Sequence, residues 1–420
     1  MKKLIFTAAI AFAGAVLFSA ERTLTLEDAV ASALENNASV RRSALSLQAA
    51  ERKEANSWNE FLPSASVGAS WTENAANSAE VVGLTASASL TLSPALFADI
   101  EQTKLDLEAG RISREKAFRD VELAVRKTFY SLLYQREYLE LLSGSIETAR
   151  ARYEQTLEKR NAGLVPEVDA LSARVELESL VPDYEAAKTS YANSLDSFKQ
   201  AIGIDPADEI ALEGGLDEAL GIGDIDADGL DAQSASVALL ENSVKAAESA
   251  LKGAVMTNRL PSVSLSALMN PSRVLSSGAE WTESASLTAS VSLSLDSFLP
   301  FSSRAEQIRT AADAQADLEI QLEDERLSAE LELSSLLRSI AQSKSSLSAR
   351  ASAVELAKRN YQLTEEAYRK GAKDLLSLQS SADSLKEAEA SLKQQSYALL
   401  AAVLELEYAS GVPFGTLGRK

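Results

Sequence analysis

The sequence predicts a mainly α-helical chain carrying membrane β-strands. It is an internal two-fold repeat with four strands per chain. Three copies would close a 12-stranded β-barrel continued by a long coiled-coil α-helical barrel. Three observations predict this: a duplication, a switch of hydrophobic period from helical to two, and helical stretches far longer than globular ones. Leu62-Pro63-Ser64 and Leu260-Pro261-Ser262 each open a run of alternating small and apolar residues. Trp71-Thr72-Glu73 recurs as Trp281-Thr282-Glu283, and Tyr153 and Gly163 recur 208 positions on as Tyr361 and Gly371. A duplicated unit is one structure built of two similar halves, not a string of separate domains.

The elements follow in order. Residues 1–20 read as an export signal: Lys2 and Lys3, an apolar stretch from Leu4 to Phe18, then Ser19-Ala20. Residues 21–202 form the first repeat, 203–230 a linker rich in Gly and Asp, and 231–420 the second repeat. Thr25 to Trp58 has apolar residues at helical spacing, and Pro63 ends that pattern. Ser64–Trp71 and Val82–Ser93 then alternate with period two. Val263, Leu265 and Ala267 repeat the alternation, as does the run from Leu287 to Leu295, so one face is apolar and the other hydroxyl-rich. Asp99–Arg160 and Ser303–Lys370 lack an internal proline and would extend about 90–100 Å as helices. Gly163 and Gly371 suit C-terminal caps, and Pro166 suits the first turn of a returning helix that reaches about Ile202. The second returning helix runs from about Asp374 to Tyr408. Its Leu378, Leu385, Leu392, Leu399 and Leu406 form a heptad seam. Pro182 should kink the first returning helix or mark an irregularity.

Alternation alone also fits a soluble half-buried sheet. The membrane reading is favoured because the longer runs match the 9–11 residues of a transmembrane strand and their polar face is almost purely Ser and Thr. Aromatics bracket them as interface anchors: Trp71 and Trp281 at the loop end, and Phe61, Phe97, Phe298 and Phe301 at the helix end. Four strands cannot close a barrel, and an open edge in lipid leaves backbone groups unpaired at several kcal/mol each. The chain must therefore oligomerise around a hollow axis. No cofactor or metal site is expected: the chain has neither His nor Cys. Without Cys there is no residue for an acylated anchor, so attachment to membrane lipid rests on the fold. The net charge of −20, −22 without the leader, argues against a nucleic-acid partner.

The chain resembles the TolC-type outer membrane efflux proteins from Leu24 to Val412. The resemblance is carried by "LTLEDAVASALENNASV", the two Leu-Pro-Ser openings, "AGLVPEVDALSARVELESL" from Ala162 and "EAYRKGAKDLLSLQSSADSL" from Glu366. It implies a homotrimeric exit duct in the outer membrane of Gram-negative-type bacteria, with its helical barrel in the periplasm. Such a duct works passively in efflux or type I secretion with an inner-membrane pump and a periplasmic adaptor. It implies that the hairpin tips, Gly163, Leu164, Gly371 and Ala372, meet the adaptor. Asp169 and Tyr368 match a gate constraint, with Lys373 where that family has Arg. Lys keeps the charge and loses the guanidinium fork, so the constraint should be weaker. Ser377 and Ser380 stand where relatives carry constricting Asp rings, which argues against a strongly acidic cation filter.

Each gate residue also has a plain structural reading. Asp169 suits the positive end of a helix dipole, Tyr368 suits packing, and Lys373 suits a solvated surface. Two other functions compete with the duct. One is a non-conducting periplasmic coiled-coil structural or tethering protein whose strands form a soluble sheet. The other is an enzyme, for which the carboxylates show no convergent pair.

Overall fold

The computed structural model describes residues 22–74, 79–225, 230–232, 234–275 and 280–418. The expected export signal over residues 1–20 and linker residues 226–229 lie outside the described residues. In chain order the elements are β1 (Arg22–Leu24), α1 (Leu26–Asn36), α2 (Ala38–Ala55), β2 (Ser64–Asn74) and β3 (Ala79–Leu92). Then follow α3 (Ala95–Asn161), α4 (Glu167–Ile202), β4 (Ile210–Leu212), α5 (Ala235–Arg259), β5 (Ser262–Met269) and β6 (Ser272–Val274). The chain ends with β7 (Ala285–Ser292), α6 (Ser303–Arg369) and α7 (Leu375–Ala409). The repeat is visible in the lengths: α3 and α6 have 67 residues each, and α4 and α7 have 36 and 35. At 1.5 Å per residue each long helix spans about 100 Å.

The sheet runs β2-β3-β5-β7 and is antiparallel throughout, with β6 paired to β3. β5 and β6 are one strand in register. Met269 faces Ala86 and Ser272 faces Gly83 with no slip between them, and the Leu84 N–H donates to the Pro271 carbonyl at 2.8 Å. Pro271 has no N–H to return, so the ladder is broken there in name only. The four strands expected from alternation are therefore present. The alternation over-reads one end: Leu295 lies in a 3-10 turn (Leu295–Phe298), where the buried Ser297 hydroxyl donates to the Ser294 carbonyl at 2.8 Å.

The helices form a wall one layer thick. Near the sheet α2, α3, α5 and α6 pack in that order, and away from it α4, α3, α7 and α6 do. The expected single helix over Thr25–Trp58 is two helices broken at Asn37. That residue ends α1 with an extended ψ of 132°, caps α2 by accepting from the Ser39 N–H at 2.8 Å, and donates to the Ala201 carbonyl at 2.9 Å. The Ser32 hydroxyl donates to the Ile202 carbonyl, so the break satisfies carbonyls that the end of α4 leaves open. α4 runs continuously through the exposed Pro182, which removes one N–H without ending the helix.

The core sits at mid-length. β1 pairs in parallel with β4 of the linker, and α1 and Leu216 cover Phe129, Leu133, Phe198, Leu399 and Leu406. The tail after α7 folds back over this layer and is held by two charges. The Glu407 carboxylate, fully buried, accepts from the N–H groups of Gly415, Thr416 and Leu417 at 2.8–2.9 Å. The Arg119 guanidinium donates to the Glu407 carbonyl, which the end of α7 leaves open, and to the carbonyls of Gly411 and Val412 in the tail. The Phe414 ring lies against the guanidinium groups of Arg119 and Arg126.

Glu407→Gln turns one acceptor into a donor facing an N–H, and should cost about 1–3 kcal/mol. It should lower the midpoint of thermal loss of helical circular dichroism in detergent. Gly203→Ala should cost more than about 1 kcal/mol. Its φ is +75°, and a Cβ there would stand 2.3 Å from that of Asn36. Gly163→Ala, at a φ of +71° but in open space, should shift the midpoint less.

Candidate functional site

Two regions concentrate the chemistry of this chain: the faces of the sheet and the tips of the hairpins. On the sheet, register places Val67, Leu84, Ala86, Leu265, Leu287 and Val291 on one face. That face is open: Val67 is 86% exposed, Leu287 83% and Val291 73%. The opposite face carries hydroxyls in rows across the strands, such as Ser64, Ser89, Ser266 and Thr288. Hydroxyl pairs Ser64–Ser89 and Ser66–Ser87 are 2.8 Å apart, and Ser262–Ser292 is 3.0 Å. The aromatics proposed as anchors are all exposed. Trp71 lies in β2 on the apolar face, and Trp281 lies one residue before the bridge of Thr282 to Ser272. Phe61 and Phe97 meet with ring centroids 6.2 Å apart where β2 and α3 approach the helical part, and Phe298 and Phe301 stand exposed between β7 and α6.

At the tips, the two turns are the same motif built twice. The Gly163 N–H donates to Arg160 O and the Leu164 N–H to Lys159 O. The Gly371 N–H donates to Tyr368 O and the Ala372 N–H to Ala367 O. Both glycines are left-handed, with φ of +71° and +72°, which closes a helix with a Schellman turn. Gly163, Leu164, Gly371 and Ala372 are exposed. The copies diverge at the next cap. Pro166 starts α4 with no side-chain hydrogen bond, whereas Asp374 caps α7 by accepting from the Ser377 N–H at 2.9 Å. Hydrogen bonds from the Ser377 hydroxyl and N–H hold the exposed Asp374 carboxyl below the usual carboxylate range.

The residues singled out for a gate are not joined to one another within one chain. Asp169, half-buried in the first turn of α4, and Lys373, exposed in the second tip, make no side-chain hydrogen bond or ion pair among the described residues. Tyr368 is half-buried under the Lys159 ammonium, 4.8 Å from its ring centroid. Ser377 is engaged by Asp374, and Ser380 is exposed. Asp169 and Ser377 are equivalent positions of the two copies.

Sequence reasoning missed the polar seam that joins the hairpins. Along α3 and α7, Asp120 accepts from the Tyr408 hydroxyl and Lys127 pairs with Glu405. Tyr134 stacks on Tyr397 at 6.1 Å, and Lys393 pairs with Glu137 at 2.7 Å. Burial, and then the hydrogen bond to Asp120, raise the Tyr408 hydroxyl above its usual pKa. Nearer the tips the buried Arg152 pairs with Glu176 at 2.7 Å, and Gln379 donates to the other Glu176 oxygen at 2.6 Å. The charge spacing alone could not separate these residues from solvated ones. The outer edges of the wall differ in kind. α4 exposes Val168, Leu171 and Val175, and α6 exposes Ile320, Leu327, Leu331, Leu356 and Leu363.

The profile of the family described as outer membrane efflux protein matches residues 29–204 and 229–412, one match per repeat. Comparison with curated proteins finds no match. The fold is similar to that of the Campylobacter jejuni CmeC outer membrane channel, with a TM-score of 0.75 at 18% identity over 92% of this chain and 85% of that one. It is similar to the Vibrio cholerae outer membrane protein VceC, with a TM-score of 0.73 at 15% identity over 93% and 96%. It is also similar to the open state of the Neisseria gonorrhoeae MtrE outer membrane channel, with a TM-score of 0.71 at 19% identity over 94% and 91%. Matched over both repeats, the chain belongs to the outer membrane efflux protein family, as an outer membrane channel protein with its helical part in the periplasm and not as an enzyme.

Proposed function

We propose that three copies form a passive exit duct for efflux or type I secretion, fed by an inner-membrane transporter through a periplasmic adaptor. The observation that carries this reading is the open four-stranded sheet, apolar and exposed on one face, hydroxyl-lined on the other, with free edges at β2 and β7. In lipid those edges must pair, and the partner that fits is β2 or β7 of another copy. Four strands from each of three chains make a closed barrel of a size known for single-chain outer-membrane barrels. The helical wall supports the same assembly, because its two edges, α2 with α4 and α6, carry the apolar residues that a neighbouring copy would cover. The tethering alternative needs a soluble sheet, and a face with Val67 and Leu287 more than four-fifths exposed does not suit one.

Within this duct the hairpin tips around Gly163, Leu164, Gly371 and Ala372 face the adaptor. The gate is set by Asp169, Tyr368 and Lys373. Asp169 stands on α4, at one edge of the protomer wall, and Lys373 stands between α6 and α7, near the other edge. Their link therefore runs between neighbouring copies. Ser377 and Ser380 take the place of an acidic constriction and leave it uncharged.

Single-channel recording in planar bilayers tests the reading. The assembled protein should conduct, and Asp169→Ala combined with Tyr368→Phe should raise the conductance several-fold. An unchanged conductance would remove the gate assignment, and a protein that never conducts would remove the duct.

A further inference from the structure

We infer that Lys159 is a positioning residue of the gate. Its ammonium ties the two hairpin tips of one chain by lying over the ring of Tyr368, so that the face of that ring, and not its hydroxyl, carries the constraint. The inference rests on the duct reading above. It goes further by adding a residue to the gate and naming the chemistry of the tie.

Lys159 stands in the last turn of α3 and Tyr368 in the last turn of α6, so the pair joins one hairpin to the other. The Lys159 Nζ lies 4.8 Å from the centroid of the Tyr368 ring, and both side chains are half-buried. Among the described residues the Tyr368 hydroxyl makes no hydrogen bond and Lys159 makes no ion pair. The carboxylates of the tips already hold a cation from their own hairpin. Glu365 pairs with Arg369 at 3.0 Å, Glu366 with Lys370 at 2.6 Å and Glu167 with Arg160 at 4.0 Å. Lys159 instead reaches across to the ring. It follows Arg152 by seven residues, so both lie on one stripe of α3. Farther from the tip that stripe meets the other hairpin through Glu176, which holds Arg152 at 2.7 Å and Gln379 of α7 at 2.6 Å. Lys159 makes the same crossing closer to the tip, with a ring in place of a carboxylate.

The face of an aromatic ring carries negative potential, and an ammonium within about 6 Å of the centroid is attracted to it. That attraction needs the ring and not the hydroxyl, so phenylalanine keeps it and leucine loses it. A guanidinium stacks on a ring as an ammonium does, whereas methionine fills similar space without charge. Parting of the hairpin tips carries the ammonium off the ring and back into water. The contact therefore belongs to the closed arrangement and shifts the population toward it. One such pair is weak, but a duct of three chains has three, and they release together when the tips part. The Asp169 link runs between neighbouring copies, whereas this tie joins the two hairpins of one copy, so the two act at different joints. The rise in conductance expected of the combined Asp169→Ala and Tyr368→Phe variant then comes mainly from Asp169.

The test is single-channel recording of the full assembled protein in planar bilayers, with the open fraction as readout. Lys159→Met and Tyr368→Leu should each raise the open fraction about threefold or more. The double variant should rise no further than the larger single one, because both remove the same contact. Lys159→Arg should restore most of the closure, and Tyr368→Phe should open the gate far less than Tyr368→Leu. If Tyr368→Leu does not assemble, the contrast of Lys159→Met with Lys159→Arg carries the test. An open fraction unmoved by Lys159→Met would overturn the proposal, and so would a Lys159→Arg protein as open as Lys159→Met. Tyr368→Phe opening the gate as far as Tyr368→Leu would also overturn it, since the hydroxyl would then carry the constraint. A wild-type protein without conductance would instead defeat the duct reading beneath it.

Discussion

The rest of this molecule depends on one constraint: backbone groups at a sheet edge cannot be left unpaired in lipid. Among the described residues each chain brings four strands in register to this sheet, β5 and β6 counting as one, and both β2 and β7 end it with an open ladder. Nothing among the described residues closes it, so the membrane section is complete only when copies meet. The apolar outer face follows from the same condition, because an edge that pairs in lipid belongs to a sheet whose outside is in lipid too. Strands and helices obey one rule here. Each supplies a wall with two unfinished edges, and the apolar rows of α4 and α6 do for the helices what β2 and β7 do for the strands.

The joins within a chain are made differently from those left open. Between hairpins, α3 and α7 meet through paired charges and tyrosines, which fix how far one helix is slid along the other. Directional contacts of this kind set register better than apolar packing does. At mid-length the N-terminal strand β1, linker strand β4 and the tail clasped by Glu407 and Arg119 all fold onto one layer. The two ends of the described residues and their middle are thus bound to the same core. This spreads the fold's stability over contacts remote from either the sheet or the tips.

Much of this was legible from residue pattern. The period-two runs located the strands, and the copied Gly163 and Gly371 located the tips because a left-handed turn favours glycine. The continuity of β5 with β6 across Pro271 was hidden, since a proline reads as a stop when only the ladder shows that register survives it. The break at Asn37 was missed because its cause is distant in sequence: the carbonyl of Ala201. The Glu407 cradle and the Arg152–Glu176–Gln379 cluster were missed for a related reason. A buried charge looks like any helix-surface charge until its partners, from another helix or a returning tail, are in place. The proposed gate residues came from resemblance alone, and one chain leaves them apart.

The central claim is that the unfinished edges are finished by two further copies. The most direct measurement is the mass of the detergent-extracted protein, corrected for bound detergent, by light scattering or native mass spectrometry. The account predicts extraction only with detergent and a particle of three chains. A water-soluble monomer, or a monomer stable in detergent with its sheet edges open, would contradict it.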